Sequence, residues 1–233
     1  MQYFRHAKKL TNQLGNGLIT GAADDDPSGI ATYSQAGAQF GGGLLWTLIF
    51  GSSLALIIQG PIEVLLPFLT RERFEEPEVT FGFLLAAYGI GGAAGSLVVS
   101  SLKLPRRYLT FMILCWGGGT LPLVVIGAAN NLIVMLAALF IVGATTGAGV
   151  VIWGTLLQRL VPLEMIGRVA SLDFFVSIAF MPVSIAIAGP LSMLVPIPMI
   201  FVIAGIVPPV LAVVALWAGR MRAVERTHQL DAH

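Results

Sequence analysis

From Leu44 onward the chain is written in long apolar runs separated by short polar or charged interruptions. A helix that crosses a bilayer takes about 20 mostly apolar residues. Six runs meet that length: Leu44 to Leu69, Phe81 to Leu102, Tyr108 to Ala128, Leu132 to Leu157, Met165 to Gly189 and Leu194 to Trp217. The short connections, Asn130-Asn131 and Gly189-Pro190 among them, predict antiparallel neighbours. The most informative interruption is Gln158 to Asp173, QRLVPLEMIGRVASLD. There Pro162, Leu163 and Glu164 predict a helix start, because proline suits the first helical position and an acid suits the positive helix end.

Composition turns this pattern into a class. The chain is 56% hydrophobic and 11% charged, with mean hydropathy +0.87, whereas soluble domains carry about 25% charge. The expected fold is all-α, a polytopic membrane protein whose main partner is the lipid bilayer. A net charge of +1 argues against nucleic acid as a partner. The single Cys115 excludes an internal disulfide. The three histidines lie near the termini, and no catalytic constellation or cofactor motif stands out, so no enzyme activity is expected. Arg5, Lys8 and Lys9 are followed by Asn12, Gln13 and Asn16, which make a poor signal-peptide core.

Charge then sets the orientation. Lys103, Arg106 and Arg107 follow the second span, Arg159 and Arg168 flank the hinge, and Arg220, Arg222 and Arg226 follow the sixth. Alternating helices put these eight on one side. The other side carries only Arg71 and Arg73 among Glu72, Glu75, Glu76 and Glu78. The basic side is expected to be cytoplasmic, with both termini on it and 223–233 as a polar tail. Glu164 and Arg168, four apart in the acid-first order, form a candidate latch with Arg159 that is worth only about 0.2–0.5 kcal/mol on an exposed helix; simple anchoring of the topology is the other reading.

Charges inside a membrane are functional candidates, and two acids fall within the six spans. Asp173 lies about 13 Å into its helix from Glu164 at about 1.5 Å per residue. It is a candidate for substrate binding or proton exchange, or a buried carboxyl satisfied by helix packing. Glu63, between Pro61 and Pro67, faces a cavity or reaches the interface. Gly91 and Gly95, and again Gly143 and Gly147, are small-xxx-small pairs that predict close helix packing. Pro61, Pro67, Pro122, Pro182 and Pro208-Pro209 are expected to kink their helices.

The stretch Leu14 to Phe40 reads differently, being glycine-rich and polar with Asp24, Asp25 and Asp26 in a row. Three central aspartates cost about 8–10 kcal/mol on the insertion scale, with few large apolar residues to offset them. A broken, re-entrant or peripheral segment is expected, and a seventh crossing would also place the basic N-terminus on the wrong side. Asp26 and Pro27 alone suit a helix start.

Two resemblances follow. GLITGAADDDPSGIATYSQAGAQFG resembles the first, unwound transmembrane segment of the NRAMP-type divalent-metal transporters, whose Asp-Pro-Gly-Asn motif breaks the helix and helps bind metal. Asp26 and Pro27 match that motif, making Asp26 the implied metal contact; Ser28 and Gly29 stand where Gly and the ligand Asn are usual. No counterpart of that family's methionine-bearing partner helix is visible. From about Leu44, the segments Gly60 to Leu69, Leu84 to Ser100 and above all Leu156 to Asp173 resemble the C-terminal half of a major facilitator superfamily transporter of the macrolide- and siderophore-exporter branch. Gly95, Lys103, Arg106 and Arg107 resemble that superfamily's cytoplasmic loop motif without its acid.

The chain thus divides into an NRAMP-like segment (1–43), a six-helix half-bundle (44–222) and the tail, with Gly41-Gly42-Gly43 as a flexible seam. The resemblances imply a half-size exporter of small molecules that needs a homodimer or a partner half. A divalent-cation (Mn/Fe) transporter fragment and an inactive fused accessory protein are the alternatives.

Overall fold

The computed structural model describes Ser53, Ile57, Ile58, 60–102, 107–160 and 163–218, all within the second of two units, Met1–Gln39 and Phe40–His233. The described residues are helical throughout, joined by short turns and with no strand among them. A π-helical turn, Pro61–Leu65, leads into α1 (Leu66–Arg73). Then follow α2 (Pro77–Ser101), α3 (Tyr108–Gly118), α4 (Pro122–Ala128), α5 (Leu132–Leu160), α6 (Leu163–Leu194) and α7 (Ile197–Ala218). Helices α2, α5 and α7, and α3 with α4 taken together, are long and apolar enough to cross a membrane. The protein is therefore an all-α, multi-pass membrane protein.

Proline and asparagine chemistry sets several boundaries. Pro77 opens α2 and Pro122 opens α4, where the missing N–H costs nothing. Asn131 caps α5 through Oδ1, which accepts from Ile133 N at 2.9 Å. The turn expected at Gly189-Pro190 is instead helix: α6 runs through Pro182 and Pro190 to Leu194. The reversal falls at Val195-Pro196, and the Pro196 carbonyl accepts the amides of Met199 and Ile200. A proline inside a long helix forfeits one bond, and the remaining ladder outweighs it. Half of the expected span Leu44 to Leu69 lies outside the described residues.

The closest contact in the bundle joins α2 and α5 side by side and parallel. A Cβ on Gly91 would strike the Phe140 carbonyl oxygen and one on Gly95 the Ala144 oxygen; one on Gly143 would strike the Tyr88 oxygen and one on Gly147 the Gly92 oxygen. Each helix thus presents its glycines to the other's backbone, the geometry in which weak Cα–H···O contacts and dispersion hold membrane helices together. The small-xxx-small reading is borne out, and the partner of each pair is now named.

Helix α7 runs antiparallel to α3 and α4. Gly127 abuts the Pro198 carbonyl and Gly205 abuts Val124, while Thr120 Oγ1 donates to Gly205 O at 3.3 Å. Two apolar cores result, one at each end. Leu65, Leu66, Leu69, Leu84, Leu123, Ile126, Met135, Leu139 and Phe201 fill the α1/α4 end; Tyr108, Met112, Ile113, Ile152, Leu156 and Ala212 fill the other. Helix α6 is tied in by the Gly60 amide, which donates to Ser184 Oγ at 2.8 Å in a buried setting. Ser184→Ala removes that bond and is expected to cost about 1 kcal/mol, read as a lower melting temperature of the purified protein in detergent.

Candidate functional site

The functional candidates fall at three depths. At the α1/α4 end, Arg73 closes α1 and reaches across to the C-terminus of α4. Its Nη1 donates to Ile126 O at 2.8 Å and Ala129 O at 2.6 Å, and its Nη2 donates to Gly127 O at 2.6 Å. These are carbonyls that a helix end leaves without intrahelical partners, and a cation there also meets the negative end of the helix dipole. Burial lowers the guanidinium's proton affinity and neighbouring Glu72 opposes the shift; an arginine stays charged regardless. Nearby, Arg71 pairs with Glu78 at 3.8 Å. Both side chains are largely exposed, so the pair contributes little.

Deeper in the same run lies the one intramembrane charge whose side chain is described, Glu63. Glu63 lies six residues before Leu69, where the apolar run stops, so about 9 Å into the span at about 1.5 Å per residue, in the outer third of a hydrocarbon core about 30 Å thick. Tyr88 lies eleven residues into α2 and Thr146 lies midway along α5. Tyr88 and Thr146 share a side-chain hydrogen bond, and the Tyr88 hydroxyl lies within electrostatic reach of the Glu63 carboxylate. Thr146 Oγ1 in turn donates to Val142 O at 2.8 Å. Glu63 is exposed and stands on the π-helical turn, a local geometry that recurs at functional sites. A carboxylate is a donor type that suits a hard cation. Among the described residues, no three His, Cys, Asp or Glu side chains gather into a cluster.

At the other end, Arg107 is exposed at the start of α3 and Arg159 is exposed in the last turn of α5. The core of Tyr108, Ile152 and Leu156 places both at one end of the bundle, opposite Arg71 and Arg73. Helix α6 starts at Leu163 as the sequence predicts, with Glu164 in its first turn and Arg168 and Asp173 further along its backbone. The side chains of Glu164, Arg168 and Asp173, together with Lys103, Arg106 and Asp26, lie outside the described residues. Sequence reasoning missed Arg73, Tyr88 and Thr146. Tyr88 carried a faint signal, a polar tip between the glycine pair Gly91/Gly95 and the core residue Leu84.

Comparison with known proteins bears on the N-terminal part. The family model for natural resistance-associated macrophage protein-like (NRAMP) proteins matches residues 17–63. The match crosses Gly41-Gly42-Gly43 and ends at Glu63. The chain is 29% identical over 120 residues to the divalent metal cation transporter MntH of Deinococcus radiodurans, which covers 48% of this chain. It spans only about a quarter of that relative's length, 27%. No solved structure matches the chain. The chain thus carries an NRAMP-like segment within a multi-pass membrane protein, and the exporter resemblance of 44–222 gains no support from these comparisons.

Proposed function

We propose that this protein takes part in moving divalent metal cations across a membrane, with the NRAMP-like segment supplying the cation contact. The observation that carries the proposal is the family match over 17–63, which contains the acidic run Asp24 to Asp26 followed by Pro27. The relative's name, a divalent metal cation transporter, points the same way. Asp26 is the proposed contact within that segment. Glu63, the last matched residue, is proposed as a second acid that meets a cation, with the Tyr88 hydroxyl within its electrostatic reach. A transported cation must shed much of its water, and oxygen atoms within the membrane lower the cost of that step. The proposed setting is the cytoplasmic membrane with Arg107 and Arg159 on the cytoplasmic side, by the bias of basic residues. A second copy or a partner half would complete the wall of the pathway.

The test is Mn2+ uptake into proteoliposomes that contain the full chain. Uptake above protein-free vesicles is expected, reduced about tenfold or more by Asp26→Ala and reduced separately by Glu63→Gln. Absence of uptake by the wild-type protein, or an Asp26→Ala variant that matches it, would overturn the proposal.

A further inference from the structure

The third apolar run crosses as two pieces, and the joint between them is built differently from any helix around it. Thr120 N donates to Gly117 O at 3.3 Å and Leu121 N to Gly118 O at 3.2 Å; beyond Pro122, Leu123 N donates to Thr120 O and Val124 N to Leu121 O. All four bonds reach back three residues rather than four. A tightened stretch of this kind in mid-helix often marks a hinge. Three glycines in a row, Gly117 to Gly119, and the missing amide of Pro122 weaken it further. Within the joint Thr120 Oγ1 donates to Gly117 O at 2.8 Å, whereas the side-chain ties from the joint to neighbouring helices are longer: Thr120 Oγ1 to Gly205 O at 3.3 Å and Thr145 Oγ1 to Gly119 O at 3.4 Å.

The far end of α4 is held quite differently. Three guanidinium bonds from Arg73, at 2.6–2.8 Å, grip the last carbonyls of α4 and the residue after it. Charge-assisted bonds of this length are the strong ones. A seven-residue half-helix is thus joined to α3 through a tightened, glycine-rich turn and clamped at its tip by a residue 53 to 56 positions away in sequence.

We propose that α4 is a hinged half-helix that pivots about Gly117–Leu121, and that Arg73 is the clamp that holds it against α1 and α7. Release of the clamp lets α4 tilt and uncovers the core of Leu123, Ile126 and Phe201 at that end of the bundle. The device depends on neither the identity of the cargo nor the presence of transport.

Local opening is separable from general loosening by thiol labelling in a Cys115→Ser background. Leu123→Cys reports on α4 and Ile152→Cys on the core at the opposite end; both parent side chains are fully buried. Arg73→Gln is expected to raise maleimide labelling at Leu123→Cys about tenfold or more and to leave Ile152→Cys unchanged. No Cβ neighbour lies within 4 Å of Gly118, so Gly118→Ala fits and stiffens the joint. It is expected to slow labelling at Leu123→Cys about fivefold in either Arg73 background. If Arg73→Gln does not fold, hydrogen–deuterium exchange of the wild-type chain against Gly118→Ala decides, with slower exchange confined to 119–128 expected. Equal acceleration at both reporters, or labelling and exchange indifferent to Gly118→Ala, would overturn the hinge.

Discussion

Gly95→Leu is expected to prevent α2 from docking on α5 and to leave no cooperative unfolding transition. Gly95→Ala is expected to cost about 3 kcal/mol. A Cβ at Gly95 would fall on the backbone of Ala144, its carbonyl oxygen first and its carbonyl carbon and Cα just behind. A side chain in the way can rotate; a helix backbone has to move as a body. Moving it opens the Tyr88–Gly143 and Gly92–Gly147 contacts as well, since all lie on one parallel seam. Gly89 on the same helix has open space where its Cβ would be, so Gly89→Ala is expected to be neutral within about 0.5 kcal/mol. Equilibrium unfolding in mixed detergent micelles measures all three, and an unaltered midpoint for Gly95→Ala would refute the seam.

That seam shows what the sequence could and could not reveal. Glycines four apart in an apolar run announce close packing, because few other reasons exist to spend so many there. They do not say which helix fills the gap, and the partner lies some fifty residues on, beyond an intervening pair of helices. Charge was similarly half legible. The contrast between the two ends of the bundle was readable from Arg107 and Arg159 against Arg71 and Arg73, since counting needs no contacts. The work of Arg73 was not readable, because its partners are backbone carbonyls, which every sequence has and none displays. Pro122 announced an interruption in its run, yet Pro182 and Pro190 announced the same and sit inside a continuous helix. The difference is the glycine triplet before Pro122, which removes the side-chain packing that carries a helix across a missing bond.

The candidate site divides along the same line. An acid at Glu63 in an apolar run is visible at once. The hydrophobic pattern ends at Leu69, and Thr70 turns its hydroxyl onto the Pro67 carbonyl at 2.8 Å as the helix carries its charged last turn on to Arg73. The pairing of Tyr88 with Thr146 depends in turn on the α2–α5 seam, so it becomes legible only once the glycine contacts are known. The NRAMP-like character of the N-terminal part rests on a short acidic motif, which survives in a sequence without any knowledge of packing.

The same reasoning predicts a contrast between two phenylalanines that their chemistry alone would not. Phe201 on α7 is fully buried among Leu123, Ile126 and their neighbours; Phe83 on α2 is 57% exposed. In water, truncating either would change the apolar surface presented to solvent. In a bilayer the surrounding tails are as apolar as the side chain, so only packing remains. Phe201→Ala removes a ring from a filled core and is expected to cost about 3 kcal/mol, mostly through the cavity it leaves. Phe83→Ala is expected to fall within about 0.5 kcal/mol of the parent. Phe83 shares its face of α2 with Ile90 and Leu97, all three well exposed, seven residues apart and so nearly in line along the helix. Unfolding midpoints of the two variants in lipid nanodiscs measure the contrast. Equal costs at Phe201 and Phe83 would show that the Phe83–Ile90–Leu97 stripe is packed against protein rather than lipid, which a second copy of the chain would do. Because a lipid-facing stripe is indifferent to protein concentration and a dimer interface is not, repeating the Phe83→Ala measurement at higher dilution would separate the two.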